Sequence, residues 1–188
     1  MKKKPAGSVR IIGGKWRGTR LPVADLPGLR PSGDRSRETL FNWLQMQIRG
    51  ADCADLFAGS GVLGLEAASR GAATVTLVEK SRQAARQIRE SLERLGAEQV
   101  ELFEADAIDW LTGCGPQSLD IVFVDPPFGS GLERRALELL TAGDCVRSGG
   151  LVYVETAKNT EVIAPGPGWE ISREKSLGDV QMLLLKKI

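Results

Sequence analysis

From residue 52 onward the chain alternates short apolar runs with longer segments whose apolar residues recur every three or four positions. Cys53–Ala58, Thr74–Glu79, Val100–Ala105, Leu119–Val124 and Gly150–Glu155 read as strands. Gly61–Arg70, Ser81–Leu95, a short stretch around Ala107–Leu111, and Leu132–Ala142 read as helices between them. Strands alternating with helices predict an α/β protein with a parallel sheet covered on both faces. The tail changes character: Trp169–Ser176 and Val180–Lys187, separated by Leu-Gly-Asp, predict an antiparallel hairpin. Ahead of this body, residues 9–23 predict two short strands around a Gly-rich turn, and residues 24–33, with two prolines and two glycines, a loop. A helix capped by Ser32 or Asp34 is expected to run to about Ile48, with Leu40, Phe41, Trp43, Leu44 and Ile48 on its apolar face. The expected division is a small extension over residues 1–33 and a main domain over residues 34–188.

Composition narrows the chemistry. The 188 residues, 42% hydrophobic and 26% charged, fit one soluble globular domain. No apolar run reaches the roughly 18 to 20 residues of a membrane helix, and Met-Lys-Lys-Lys-Pro opens without an apolar core, so a cytoplasmic chain is expected. Cys53, Cys114 and Cys145 are scattered and read as free thiols. There is no histidine, which excludes Ser-His-Asp and Cys-His catalysis and His-ligated metals. The work falls to carboxylates, backbone groups, Lys/Arg or a reactive cofactor, and no metal is expected. Charge is uneven: the chain is +1 overall, but residues 1–37 carry ten Lys/Arg against Asp25 and Asp34. Such a basic arm on an acidic body points to phosphate contact, with Arg10, Lys15, Arg17, Arg20, Arg30, Arg35 and Arg37 as the candidates.

Four motifs carry the chemistry. Asp55-Leu-Phe-Ala-Gly59-Ser-Gly61-Val-Leu-Gly64 matches G-x-G-x-x-G at a strand-to-helix turn, where a cofactor approaches a helix N-terminus. Dinucleotide-binding proteins share that turn, but Asp55, four residues before the first glycine, suits the ammonium of a methionine moiety and would repel a pyrophosphate. Glu79, ending the second strand, is placed to accept from both hydroxyls of a ribose. Asp106, ending the third, either addresses an adenine edge or caps the next helix. Asp125-Pro126-Pro127-Phe128 ends the fourth strand. Its carboxylate and the Pro126 carbonyl are two acceptors for an NH2 group, which has two donors. Accepting both bonds localises the nitrogen lone pair that conjugation otherwise spreads into a base, and Phe128 offers a face for an unstacked base. The rival readings are another amine substrate (adenine N6 of DNA or a protein glutamine) and a dinucleotide-dependent protein.

In order, these motifs resemble the class I methyltransferase fold: Rossmann-like, seven-stranded and mostly parallel with a reversed C-terminal hairpin, here with an N-terminal hairpin and helix added. Arg30-Pro31-Ser32, Asp34-Arg35, Arg37-Glu38-Thr39-Leu40-Phe41-Asn42-Trp43-Leu44, Leu65-Glu66-Ala67, Ser69-Arg70-Gly71-Ala72, Val78-Glu79-Lys80, Phe123-Val124-Asp-Pro-Pro-Phe and Tyr153-Val154-Glu155 are similar to the RsmD family over nearly the whole chain. Ser32 stands where the family usually has threonine and keeps the hydroxyl. The resemblance implies methylation of a guanine N2 amine in bacterial 16S ribosomal RNA, within a small-subunit assembly intermediate, using S-adenosylmethionine; separately, a monomer is expected. It implies that Arg30 to Arg37 helps close the cofactor pocket and guide RNA. The cofactor set is then Asp55, Phe57, Gly59, Ser60, Gly61 and Gly64 from the turn, with Glu79, Lys80, Asp106, Ala107 and Asp125 from the strand ends. The catalytic set is Asp125, Pro126, Pro127 and Phe128.

Overall fold

The computed structural model describes residues 7–24, 33–160 and 166–188. The elements in chain order are β1 (Ser8–Arg10), β2 (Arg20–Pro22), α1 (Asp34–Trp43), β3 (Asp52–Asp55), α2 (Val62–Ser69), β4 (Thr74–Val78), α3 (Arg82–Leu95), β5 (Val100–Phe103), α4 (Ala107–Thr112), β6 (Leu119–Val124), α5 (Leu132–Ala142), β7 (Val146–Ala157), β8 (Trp169–Leu177) and β9 (Val180–Lys187). The main sheet has the order β5-β4-β3-β6-β7-β9-β8, while β1 and β2 form a separate antiparallel pair. Strands β3 to β7 pair in parallel. The tail hairpin joins so that β9, antiparallel to both neighbours, lies between β7 and β8. This is the expected class I methyltransferase architecture.

Alternation along each strand divides the apolar side chains between two cores. Cys53, Val75, Leu77, Ile121, Phe123, Leu151 and Tyr153 face the side covered by the β1–β2 hairpin, α1, α2 and α3. Ala54, Val78, Val122, Val124, Val152 and Val154 face α4 and α5. Val9, Ile11, Trp16, Leu21 and Val23 of the hairpin segment lie in the same core as Leu40, Phe41 and the sheet. Phe41 of α1 meets Phe123 of β6 with ring centroids 6.0 Å apart.

Several boundaries differ from the sequence reading: β3 ends at Asp55 rather than Ala58 and β5 at Phe103 rather than Ala105, and the larger differences lie in α1 and β7. Helix α1 stops at Trp43, and the turns through Gln47 still bury Leu44 and Ile48 while bringing the chain round to β3. Its N-cap is Gly33, without a side-chain cap; Asp34 is the first helical residue and bonds Arg37 instead, while Ser32 lies outside the described residues. Strand β7 begins four residues earlier than its apolar run, because Leu119 pairs with Val146 before a register shift, and Gly149 there has φ +79°. Glycines in a bulge read as a break in sequence.

Candidate active site

Chain order along the sheet reverses between β3 and β6, and ligands of open α/β sheets bind beyond the carboxyl ends of strands at such a point. Asp55 ends β3 there, and Asp125 directly follows β6. The intervening turn is stitched to both neighbours: Leu56 N donates to Phe123 O, and Ala58 N to Val78 O. Gly61, at φ +77°, is the N-cap of α2.

Asp55 is 1% exposed. Its Oδ2 accepts from Gly64 N at 3.1 Å, tying the strand end to the first turn of α2. Its Oδ1 is buried without a hydrogen-bond partner. Burial pushes this carboxyl up to about 7; the Gly64 amide opposes the shift, the Glu79 charge adds to it, and the Phe57 amide opposes it more weakly. A buried orphan oxygen at the carboxyl end of β3 calls for a donor, and a cationic donor also offsets the desolvation. Glu79, just past β4, clamps the turn: its Oε2 accepts from Gly59 N at 2.7 Å and its Oε1 from Ser81 N at 2.6 Å. Each oxygen keeps a lone pair for a further donor.

Asp106 caps α4, accepting from Ile108 N at 2.9 Å, and pairs with Lys80 Nζ at 2.9 Å. The Lys80 bond is the main cause that lowers the Asp106 carboxyl below its ordinary value. The capping alternative is thus realised, with the same carboxylate at the rim of the crevice. Phe57 is half-buried; Ser60 and Ala107 are buried. Gly64 packs directly on the sheet: a Cβ there would strike Leu77 Cδ2 and crowd Val75 Cγ1. Its hydrogen is required by close packing of α2 on β4.

Asp125 is half-buried, Pro126 buried, and Pro127 and Phe128 exposed, with Phe128 at 45%. Gly129 and Gly131, at φ +76° and +70°, turn the loop into α5. Beside it on β7, Tyr153 donates to Glu155 Oε2 at 2.6 Å in the interior. Desolvation raises both groups, and the negative charge of Asp125 reaches Tyr153. The sequence reading assigns this pair no function of its own; an acid closing an otherwise apolar strand is the available signal. Among the described residues no group of three or more His, Cys, Asp or Glu is placed to hold a metal ion.

A family model described as conserved hypothetical protein 95 matches residues 9–186. The Escherichia coli protein named ribosomal RNA small subunit methyltransferase D is 44% identical over 189 residues, covering 98% of this chain and 95% of that one. Its Haemophilus influenzae namesake is 44% identical over 183 residues, covering 95% and 93%. The chain belongs to this methyltransferase D family. Solved structures agree: the E. coli protein yhhF superposes with a TM-score of 0.88 at 41% identity, covering 96% of this chain and 98% of that one. A methylase of H. influenzae superposes at 0.82 with 40% identity, covering 97% and 99%. The fold and the relatives imply S-adenosylmethionine as the methyl donor, and among the described residues no helix is long and apolar enough to cross a membrane.

Family membership gives the N-terminal hairpin its context, and the structure shows how it is fastened. Glu66, fully buried in α2, accepts from Ile12 N at 2.7 Å, Gly13 N at 2.8 Å and Arg70 Nε at 2.7 Å. Ser69 Oγ accepts from Trp16 N at 2.9 Å and donates to Gly13 O at 2.6 Å, and Lys15 N donates to Ser69 O at 2.7 Å. Gly14, at φ +76°, lies so close that a Cβ would enter the Ser69 carbonyl. Arg37 completes the clasp. The sequence places it among the RNA-facing cations, yet its side chain is 0% exposed. It donates to Arg10 O at 2.7 Å, bonds Asp34, and lies 3.6 Å from Glu66. Arg37 therefore leaves the RNA-facing set: its charge is spent on joining α1, α2 and the hairpin. Lys15, Arg17, Arg20, Arg10 and Arg35 are exposed, and Arg30 lies outside the described residues. Glu66 is legible in the sequence only as part of a family pattern, although one acid in the apolar helix Val62–Ser69 marks a buried, paired charge.

Proposed function

We propose that the chain transfers the methyl group of S-adenosylmethionine to the exocyclic N2 amine of a guanine in 16S ribosomal RNA. The observation that carries this reading is the Asp125-Pro126-Pro127-Phe128 loop following β6 at the switch point, across from the orphan Asp55 oxygen. The relatives' name supplies the ribosomal RNA of the small subunit. The residues present fit the cofactor. Asp55 Oδ1 takes its ammonium, Glu79 its ribose hydroxyls, and Asp106 with the α4 N-terminus its adenine edge. When bound, the cofactor supplies a methyl group activated by its sulfonium.

The remaining work belongs to this chain. Phe128 stacks the unpaired guanine, and orientation turns a bimolecular encounter into a nearly unimolecular one. The Asp125 carboxylate and Pro126 carbonyl accept from the two N2 hydrogens, concentrating the lone pair on nitrogen. As N2 gains the methyl it sheds a proton, and Asp125 is the base placed to take it. The exposed Lys15, Arg17 and Arg20 hold RNA phosphates.

The test offers the chain and S-adenosylmethionine to unmodified 16S ribosomal RNA and, separately, to small-subunit particles assembled on it. The RNA is then digested and its nucleosides identified by mass. N2-methylguanosine in either arm supports the reading. Methylation confined to adenine N6, or none in either arm, overturns it.

A further inference from the structure

Helix α3 carries its charges in an order its own stability does not call for. Arg82, Arg86 and Arg89 fall at i, i+4 and i+7 and are exposed, while Glu90 and Glu93 appear only in the second half. A helix N-terminus is the positive end of the macrodipole, so cations are unfavourable in the first turn and favourable in the last. On α3 the basic stripe starts at the wrong end. The buried side is made by Ala84, Ala85, Ile88 and Ser91, so none of the three arginines is needed for packing. Their ion pairs lie on the surface: Arg86 Nε to Glu90 at 3.2 Å and Arg89 Nη2 to Glu104 at 3.0 Å. Exposed pairs of this kind contribute little. Arg82 makes no hydrogen bond or ion pair among the described residues.

Position supplies the second argument. Ser81, which caps α3, hydrogen-bonds Glu79 through its amide, so Arg82 stands at the rim of the cofactor crevice. At the other end Arg94 Nη2 donates to Arg20 O of the basic hairpin at 2.8 Å. Helix α3 therefore bridges the hairpin and the crevice. Arg82 to Arg89 covers roughly 10 Å along the axis at about 1.5 Å per residue, a length that meets a few backbone phosphates.

We propose that the exposed face of α3 from Arg82 to Arg89, through Arg82, Arg86 and Arg89, binds the RNA backbone and forms one footprint with the β1–β2 hairpin, leading the strand to the crevice. This rests on the RNA reading of the proposed function. The chain's acidic remainder hides the stripe in a count of charges, because acids elsewhere outnumber it.

The test measures binding of a 16S ribosomal RNA fragment across a salt series. Wild type is compared with Arg82→Gln/Arg86→Gln/Arg89→Gln and with a control that removes the same charge elsewhere, Arg135→Gln/Arg173→Gln/Lys175→Gln. Glutamine keeps good helix propensity on α3. The slope of log K against log salt is expected to flatten by roughly 0.7 for each phosphate no longer neutralised, so by about 2 for the α3 variant. KM for RNA should rise, S-adenosylhomocysteine binding and the thermal midpoint should stay, and the control should keep the wild-type slope. A wild-type slope in the α3 variant, or equal flattening in the control, overturns the proposal. If the triple variant loses stability, Arg82→Gln alone decides by a shift of roughly 0.7. A wild-type protein that shows no salt-dependent RNA binding overturns the RNA reading itself, a separate and distinguishable result.

Discussion

Replacing Glu66 with alanine should release the N-terminal hairpin from the body. The carboxylate serves Ile12 N, Gly13 N and Arg70 Nε at 2.7 to 2.8 Å and neutralises Arg37 at 3.6 Å. Burial lowers the pKa of Arg37, while Asp34 and Glu66 hold the guanidinium charged. Breaking a buried pair by deleting one partner costs roughly 3–5 kcal/mol. Leaving two amide donors unpaired would add about 1–3 kcal/mol each if they stayed buried. They need not stay buried, since the hairpin can lift and admit water. The expected global loss is therefore near the lower figure, about 3–5 kcal/mol, with local opening ahead of it. Against a typical stability of roughly 5–15 kcal/mol, the body should remain folded. Urea unfolding gives the global change, and hydrogen exchange at Ile12, Gly13, Lys15 and Trp16 gives the local one. Glu66→Gln keeps an oxygen acceptor and should fall between. An alanine variant whose unfolding midpoint is unchanged and whose hairpin amides stay protected would refute the clasp.

Three further outcomes are expected. Asp125→Ala should abolish most turnover while lowering S-adenosylhomocysteine affinity far less, because its main bonds act on the amine in the transition state; steady-state kinetics beside calorimetry checks this. Glu79→Gln should weaken S-adenosylhomocysteine binding by about 1.5–3 kcal/mol for each charge-assisted bond removed, read by calorimetry, and unchanged affinity would confine Glu79 to clamping Gly59 and Ser81. Asp55, raised by burial to about 7, binds more protons folded than unfolded. Its contribution to stability is full below the unfolded value and is lost as pH rises from about 4 through about 7. In Asp55→Asn that decline should vanish, as urea unfolding at pH 5 and pH 8 would show, and an undiminished pH dependence would count against a buried neutral carboxyl.

Sequence alone determined what local rules control. Short apolar runs located Leu119–Val124 and the tail strands, period-3.6 patterns located Leu132–Ala142, and glycine and proline placed the turn at Gly59–Gly64 and the loop at Asp125–Phe128. Side-chain period and forbidden backbone angles act within a few residues, so they survive in the linear order. That a strand-end acid stood beside each turn was equally legible, and the candidate cofactor residues Asp55, Glu79 and Asp106 do lie at neighbouring strand ends. Tertiary structure decided the rest. Charge reads as surface in a sequence, yet Arg37 is buried, because an acid 29 positions away on another helix meets it, and only packing of α1 on α2 brings them together. Gly64 reads as a ligand contact, yet its reason is Leu77 on the adjacent strand. The arginines of α3 read as part of an acidic body until Arg94 and Arg20 joined that helix to the basic hairpin. Each of these depends on segments far apart in the chain meeting in space. Burial, pairing and the extent of a charged surface are properties of such meetings, so no local pattern encodes them.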